Sequence, residues 1–316
     1  MVDELGPSLQ QLADEGKPLK PSVLYALSDL PRQHLPDLQE VWDVLSSERK
    51  QDVVRTMVEL SESMIDVDFS LLHRSWLQDE DADVRRLAVE GLWETEDLWL
   101  VGSLMRLVGT DPAPAVRAAA ATSLGRFVLR GEIGLLDAAV AGRVEQALLA
   151  AYFAPEEPLG VRRRALEALA YSGEAGIGDL IETAYYEGEE DLRLSALFAM
   201  GRSADRRWRS IVIDELDSVS PAMRYEAAVA CGELELRDAV MPLARLVEDT
   251  DREVCTVAIE ALGKIGGAEA LEVLEACSLI EDEALLVAAK EALEQASWSG
   301  GEGLEILDDW SLADRW

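Results

Sequence analysis

The residues able to supply a base, a thiolate or a soft metal ligand are few: two histidines, His34 and His73, and three cysteines, Cys231, Cys255 and Cys277. The cysteines stand 24 and 22 residues apart. No CxxC pair and no zinc-binding spacing occurs, so the thiols read as small buried core residues in a reducing compartment. His34 and His73 read as surface or capping residues. No GxSxG, P-loop, GxGxxG or HExxH motif is present. Acids are abundant, 62 Asp and Glu against 29 Lys and Arg. Carboxylate pairs therefore arise by chance throughout and single out no general acid or base. The sequence assigns no catalytic residue, cofactor or metal.

The formal charge of -33 excludes nucleic acid as the expected partner, because phosphate binding relies on clustered Lys and Arg that release counterions. A protein with a basic surface is the better electrostatic match, and the same charge also keeps an Ala/Leu-rich chain soluble. The N-terminal stretch MVDELGPSLQQLADEG lacks a basic region and an apolar core, and no run of ~20 apolar residues occurs. The expectation is a cytoplasmic protein with no membrane segment, monomeric or weakly dimeric.

Any site must be positioned by helices, and those helices repeat. VRRRALEAL from Val161, LRLSALFAM from Leu192, MRYEAAVAC from Met223 and VCTVAIEAL from Val254 align without gaps at a spacing of 31. LLVAAKEAL from Leu285 continues the series; VRAAAATSL from Val116 and VRRLAVEGL from Val84 precede it. A small residue recurs at Ala88, Ala120, Ala165, Ala196, Ala227, Ala258 and Ala289, with an apolar residue four positions later, on one helical face. Asp111-Pro112, Ser220-Pro221, Asp251 and Asp282 supply starts, and Gly-containing turns such as GKIGG from Gly263 supply stops. Ile181, Val212, Leu243 and Leu274, again 31 apart, mark a second helix in each unit. Such a hairpin cannot bury its apolar faces alone, so successive hairpins must stack.

The first 80 residues carry degenerate units, with Ala26 and Val58 as the equivalents of the repeating alanine, and residues 1 to 18 form a capping helix. Residues 81–281 are regular except for 14 extra residues between the Val116 and Val161 units; FVLRGEIGLLDAAVAGRVEQALLAAYF from Phe127 should elongate one hairpin around 128–158. EGLEILDDWSLA from Glu302 matches EALEVLEACSLI from Glu269 and completes a capping hairpin over 282–316. The expected architecture is one all-α domain, an α-solenoid of about nine antiparallel helical hairpins.

Two surfaces are candidates for binding. Second helices of stacked hairpins are expected to line the concave face, where the non-core positions are Asp179, Glu182 and Tyr186, then Asp214 and Asp217, then Arg245 and Glu248, then Glu272 and Glu275. Tyr185 and Tyr186 are adjacent and cannot both face the core, so one should be an accessible aromatic anchor. The second surface is the basic turn of Arg202, Arg206, Arg207 and Arg209 around Trp208, a weaker site for an anion or an acidic partner. Trp208 aligns with Ile177, Ala239 and Ala270 and so reads as core. Arg55, Arg85, Arg117, Arg162, Arg193 and Arg224 share one repeat position, later taken by Cys255 and Leu286. They read as a ladder bridging carboxylates of adjacent hairpins.

The order acid, Val-Arg, Ala, Ala-Leu-Gly, as in DREVCTVAIEALGKIG, resembles the short HEAT-like repeat first recognised in phycobilisome lyases. The resemblance covers nearly the whole chain and implies a HEAT-like superhelix; it says little of activity. Deoxyhypusine hydroxylase, a HEAT-like enzyme, uses paired His-Glu steps to hold iron, but here His34 precedes Leu35 and His73 precedes Arg74. HEAT-like alkylpurine DNA glycosylases use a basic surface, which the charge contradicts. Phycobilin lyases act on a tetrapyrrole carried by a partner protein, and a lyase-type or other accessory enzyme is the alternative to an acidic protein-binding scaffold.

Overall fold

The computed structural model describes residues 2–64, 66–278 and 282–299. Among them every regular element is helical. The chain groups into two compact units, Met1–Leu169 and Ala170–Trp316.

In the first unit α1 (Val2–Ala13) packs on α2 (Pro21–Tyr25) and α3 (Leu35–Trp42). α4 (Ser47–Ser63), α5 (Ser70–Trp76), α6 (Ala82–Glu90), α7 (Leu98–Thr110), α8 (Pro114–Glu132), α9 (Ala138–Phe153) and α10 (Leu159–Leu169) follow. The segment with the extra residues holds α8 and α9, long helices of 19 and 16 residues that pack on each other and on α7 and α10. The second unit runs α11 (Ile177–Glu187), α12 (Glu190–Arg202), α13 (Arg209–Asp214), α14 (Pro221–Glu233), α15 (Val240–Leu246), α16 (Arg252–Ile265), α17 (Ala268–Cys277) and α18 (Glu283–Ser299). The segment from Glu302, expected to close the last hairpin, lies outside the described residues.

Helix α16 shows why these segments fold as they do. Asp251 accepts a hydrogen bond from the Glu253 amide and caps the start. Val254, Val257, Ala258, Ala261, Leu262 and Ile265 then form one buried stripe at helical spacing. Each of the larger side chains contributes about 1.5–3 kcal/mol by leaving water. The helix stops where Gly266 and Gly267 take φ of 60° and 86°, which side chains disfavour. Asp282 caps in the same manner, accepting from Ala284 and Leu285. Ser220 takes the cap position before Pro221, but its hydroxyl makes no capping bond.

All seven repeating alanines, from Ala88 to Ala289, are fully buried. Their function is close approach, and the Gly five positions on completes it. A Cβ on Gly201, Gly232 or Gly263 would lie 2.8, 3.0 and 2.8 Å from the Cα of Ala230, Ala261 and Ala292 respectively. Helices α12, α14, α16 and α18 therefore meet at backbone contact. The second helices α13 and α15 are short, six and seven residues, and touch their counterparts sparsely. Of the two rows in the second unit, the first helices are the closely spaced one.

The degenerate N-terminal units depart from the alignment by one residue. Ala26 and Val58 are half-buried, whereas Leu24, Leu27, Val54 and Met57 fill the core. Large aromatics replace the alanine contacts: Trp42 and Trp76 stack with ring centroids 4.1 Å apart. Among the described residues no helix is long and apolar enough to cross a membrane.

Candidate functional site

The arginine ladder is observed and is built from forks. Arg224 on α14 donates Nε and Nη2 to both oxygens of Asp249 at 2.7 and 2.8 Å, and Nη1 to the carbonyls of Ser218 and Val219. Arg85 on α6 does the same with Asp111 and the carbonyls of Asp79 and Glu80. Asp111 in turn gives its carbonyl to Arg117, whose Nε reaches Glu157. One residue thus serves consecutive rungs. Arg193 pairs with Glu215, and where the sequence substitutes Cys255, its Sγ still donates to the Asp249 carbonyl. Arg162 bonds the Tyr152 carbonyl and lies over its ring. Arg55 does not join: it is exposed and pairs only with Asp52 on its own helix. Arg49, two turns earlier, takes that role by bonding the carbonyls of Gln11, Leu12 and Lys17. The Arg224 fork holds the Asp249 carboxyl below its usual range. At Asp111 burial pushes upward, but Arg85 and the Ala113 amide more than offset it and the carboxyl is likewise lowered.

The nine second-helix candidates are all exposed: Asp179, Glu182 and Tyr186 on α11, Asp214 at the end of α13, Asp217 in the 3-10 turn Glu215–Asp217, Arg245 on α15, Glu248 just after it, and Glu272 and Glu275 on α17. Arg245 and Asp217 pair at 3.4 Å. The other six carboxylates have no cationic partner among the described residues. Of the two tyrosines Tyr186 is the accessible one, 65% exposed; Tyr185 is half-buried, donates to Glu215 and lies beside Arg193.

The basic turn is dispersed among acids. Arg202 pairs with Glu233 at 3.2 Å, Arg207 with Asp205 at 2.9 Å and Arg209 with Asp238, while Arg206 is exposed. Trp208 is core, 2% exposed, as its repeat register predicts. A second ladder, which sequence reasoning misses, stands here. Arg202, Glu233 and Lys264 are 31 residues apart on α12, α14 and α16, and Glu233 bridges the other two, with Lys264 at 2.6 Å. The alternation of sign at one repeat position is the signal that could have found it.

His73 corrects the expectation of a surface residue. It is fully buried between Phe69, Trp76 and Gly91, where a Cβ on the glycine would strike the ring at 2.4 Å. Neither ring nitrogen has a hydrogen-bond partner among the described residues, and burial pushes its pKa down to about 4. His34 sits at the start of α3, beside Asp37. The three thiols are free and buried, and burial raises all of them, Cys231 to about 12. Among the described residues no group of three or more His, Cys, Asp or Glu is arranged to hold a metal ion.

A concavity that sequence reasoning does not find crosses the first helices of the first unit. It is a groove of about 860 Å³ running from the end of α4 over α6 and α8 to α10. Its apolar lining comes from Val89, Ala115, Ala118 and Ala119, with Trp93 on its edge, and Arg126 and Ser123 also contribute. These alanines belong to the same Ala-rich helix that the repeat alignment reads as core, which hides the groove.

The family model for HEAT repeats matches residues 72–148 and 209–294. No curated protein matches the sequence. Among solved structures, the Escherichia coli protein YibA is similar over 88% of this chain and 98% of its own, at 18% identity and a TM-score of 0.48. The complex of CpcE and CpcF of phycocyanin lyase from a Nostoc species is similar over 72% and 95%, at 16% identity and 0.47. Human deoxyhypusine hydroxylase is similar over 94% and 96%, at 16% identity and 0.37.

Proposed function

Because the chain belongs to the family of HEAT repeats, we propose that it is an acidic scaffold that binds a partner protein through the second-helix row of its second unit, and that the partner presents a basic surface there. The observation that carries this reading is the row itself. Asp179, Glu182, Asp214, Glu248, Glu272 and Glu275 stand exposed with no cationic partner among the described residues, while the carboxylates that serve the fold, such as Asp249 and Glu233, are engaged by Arg or Lys. Like charges along one row repel, so the row contributes nothing to stacking and is available for an opposite charge. Tyr186 adds an exposed aromatic of the kind that anchors interfaces.

The role is binding without catalysis. His73 is sealed from water and the thiols are kept protonated by burial, which suits neither to act as base or nucleophile. The free thiols suit a reducing cytoplasm, and the scaffold acts as a monomer or weak dimer.

Affinity capture followed by a rebinding assay with the purified partner tests this. Replacing Glu182, Asp214, Glu248 and Glu275 together with Gln should reduce partner affinity at least tenfold and leave the thermal midpoint unchanged within a few degrees, since each side chain is exposed. Retention of the partner at parental affinity would refute the acidic row as the binding surface.

A further inference from the structure

We propose that the groove across the first helices of the first unit is a docking site for a peptide segment of a partner protein that carries a carboxylate beside apolar side chains. The groove lies in the other unit and selects the opposite charge, so it stands whether or not the acidic row binds.

Arg126 sets the preference. Arg85 and Arg117 in the same unit each reach a carboxylate, whereas Arg126 has none at ion-pair distance among the described residues. Glu96, whose charge acts on Arg126 through space, is taken by Arg130 at 2.5 Å. Arg126 gives Nη1 to the Trp93 carbonyl and Nη2 to the Leu92 carbonyl, and its Nε has no acceptor among the described residues. A guanidinium has five donors, and here two are engaged. Its charge is desolvated without a counter-charge, and a carboxylate entering the groove would relieve that cost in a fork geometry. The other arginines lining the groove are spent: Arg86 pairs with Asp83 and Glu90, and Arg164 with Glu167.

Apart from Glu62 at the α4 end, most of the remaining surface fits a peptide's apolar side chains. Val89 and the alanines of α8 make the floor, and the Trp93 indole, 49% exposed, makes an aromatic edge that Arg126 fixes through the main chain. The Ser123 hydroxyl, buried beneath this surface, also lacks a partner among the described residues. Alanine at Ala115, Ala118 and Ala119 keeps the floor low over a little more than one helical turn. A groove of about 860 Å³ has room for several side chains.

The probe is an N-acetylated, C-amidated eight-residue peptide of Leu, Ala and Ser with one Asp, compared with its Asn counterpart. The readout is the Trp93 indole N–H resonance, identified by its loss in Trp93→Phe. The Asp peptide should shift this resonance saturably, and the Asn peptide should bind at least tenfold more weakly. Arg126→Gln should lose at least tenfold in affinity. Thr122→Glu, at an exposed position lining the groove, should lose as much with an unchanged thermal midpoint, which separates lost binding from lost folding. Arg202→Gln, the equivalent position in the second unit, should bind as the parent does. Equal affinity for the Asp and Asn peptides, or parental affinity in both Arg126→Gln and Thr122→Glu, would overturn the proposal. So would a shift caused by 3-phenylpropanoate and by neither peptide, which would assign the groove to a small carboxylic acid.

Discussion

The two units solve the same stacking problem with different materials. The second repeats one solution: Gly201, Gly232 and Gly263 against Ala230, Ala261 and Ala292, Arg–carboxylate pairs at Arg193 and Arg224, and the Arg202–Glu233–Lys264 bridge. The first unit, in its degenerate part, fills the same space with Trp42, Trp76, Phe69 and a neutral His73, and hands the ladder position to Arg49. Regularity confers interchangeable contacts that sequence spacing reveals. Irregularity leaves specific fillings and a buried titratable ring.

The comparison breaks most sharply at a fork. Arg224→Ala should destabilise the second unit by about 3 kcal/mol, because it strands Asp249, only 8% exposed, without its counter-charge. Arg55→Ala in the first unit, at the same aligned position, should cost less than ~0.5 kcal/mol. Denaturant unfolding of both variants checks the pair. Gly263→Val comes next, at about 2 kcal/mol, since its Cβ would sit 2.8 Å from the Ala292 backbone with no flexible side chain to yield.

The first unit should respond to acid where the second does not. His73 has a folded pKa of about 4 against an ordinary 6.5, so folding requires the neutral ring. Its contribution is complete above pH 6.5 and is lost as the pH falls toward 4, by an amount of order 2 kcal/mol. The lowered carboxyls of Asp249 and Asp111 act at lower pH: their contribution is complete above about 4 and lost only below it. Thermal midpoints between pH 7 and 4.5 should fall in the parent, and His73→Leu should flatten that fall. A smaller effect of opposite sign is expected at Gly102, an exposed position within α7 where an added Cβ would meet nothing within 4 Å; Gly102→Ala should stabilise by about 0.5–1 kcal/mol.

What the sequence makes legible follows the same division. Ala227, Gly232 and Arg224 can be placed because the same chemistry recurs every 31 residues, and a recurring requirement leaves a recurring residue. The repeat alignment misplaces Ala26, Val58 and Arg55 because one slipped residue in a degenerate unit moves each side chain by about 100° around its helix. Polarity alone suggests exposure for His73, and only the packing of Phe69, Trp76 and Gly91 around it shows otherwise. The row from Asp179 to Glu275 is legible as surface, because each of its side chains falls at a non-core position of the repeat. The preference at Arg126 depends on its having no ion-pair partner among the described residues, which no local pattern encodes.

The most direct test of the acidic scaffold is the association rate of the purified partner, measured at about 50 and about 500 mM salt for the parent chain and for the variant carrying Gln at positions 182, 214, 248 and 275. Charge attraction acts over the Debye length, about 14 Å at the lower salt and about 4 Å at the higher, and raises mainly the rate of encounter. The parent should associate at least tenfold faster at low salt, and the variant should be slow at both. Equal rates and equal salt dependence in parent and variant would contradict the account.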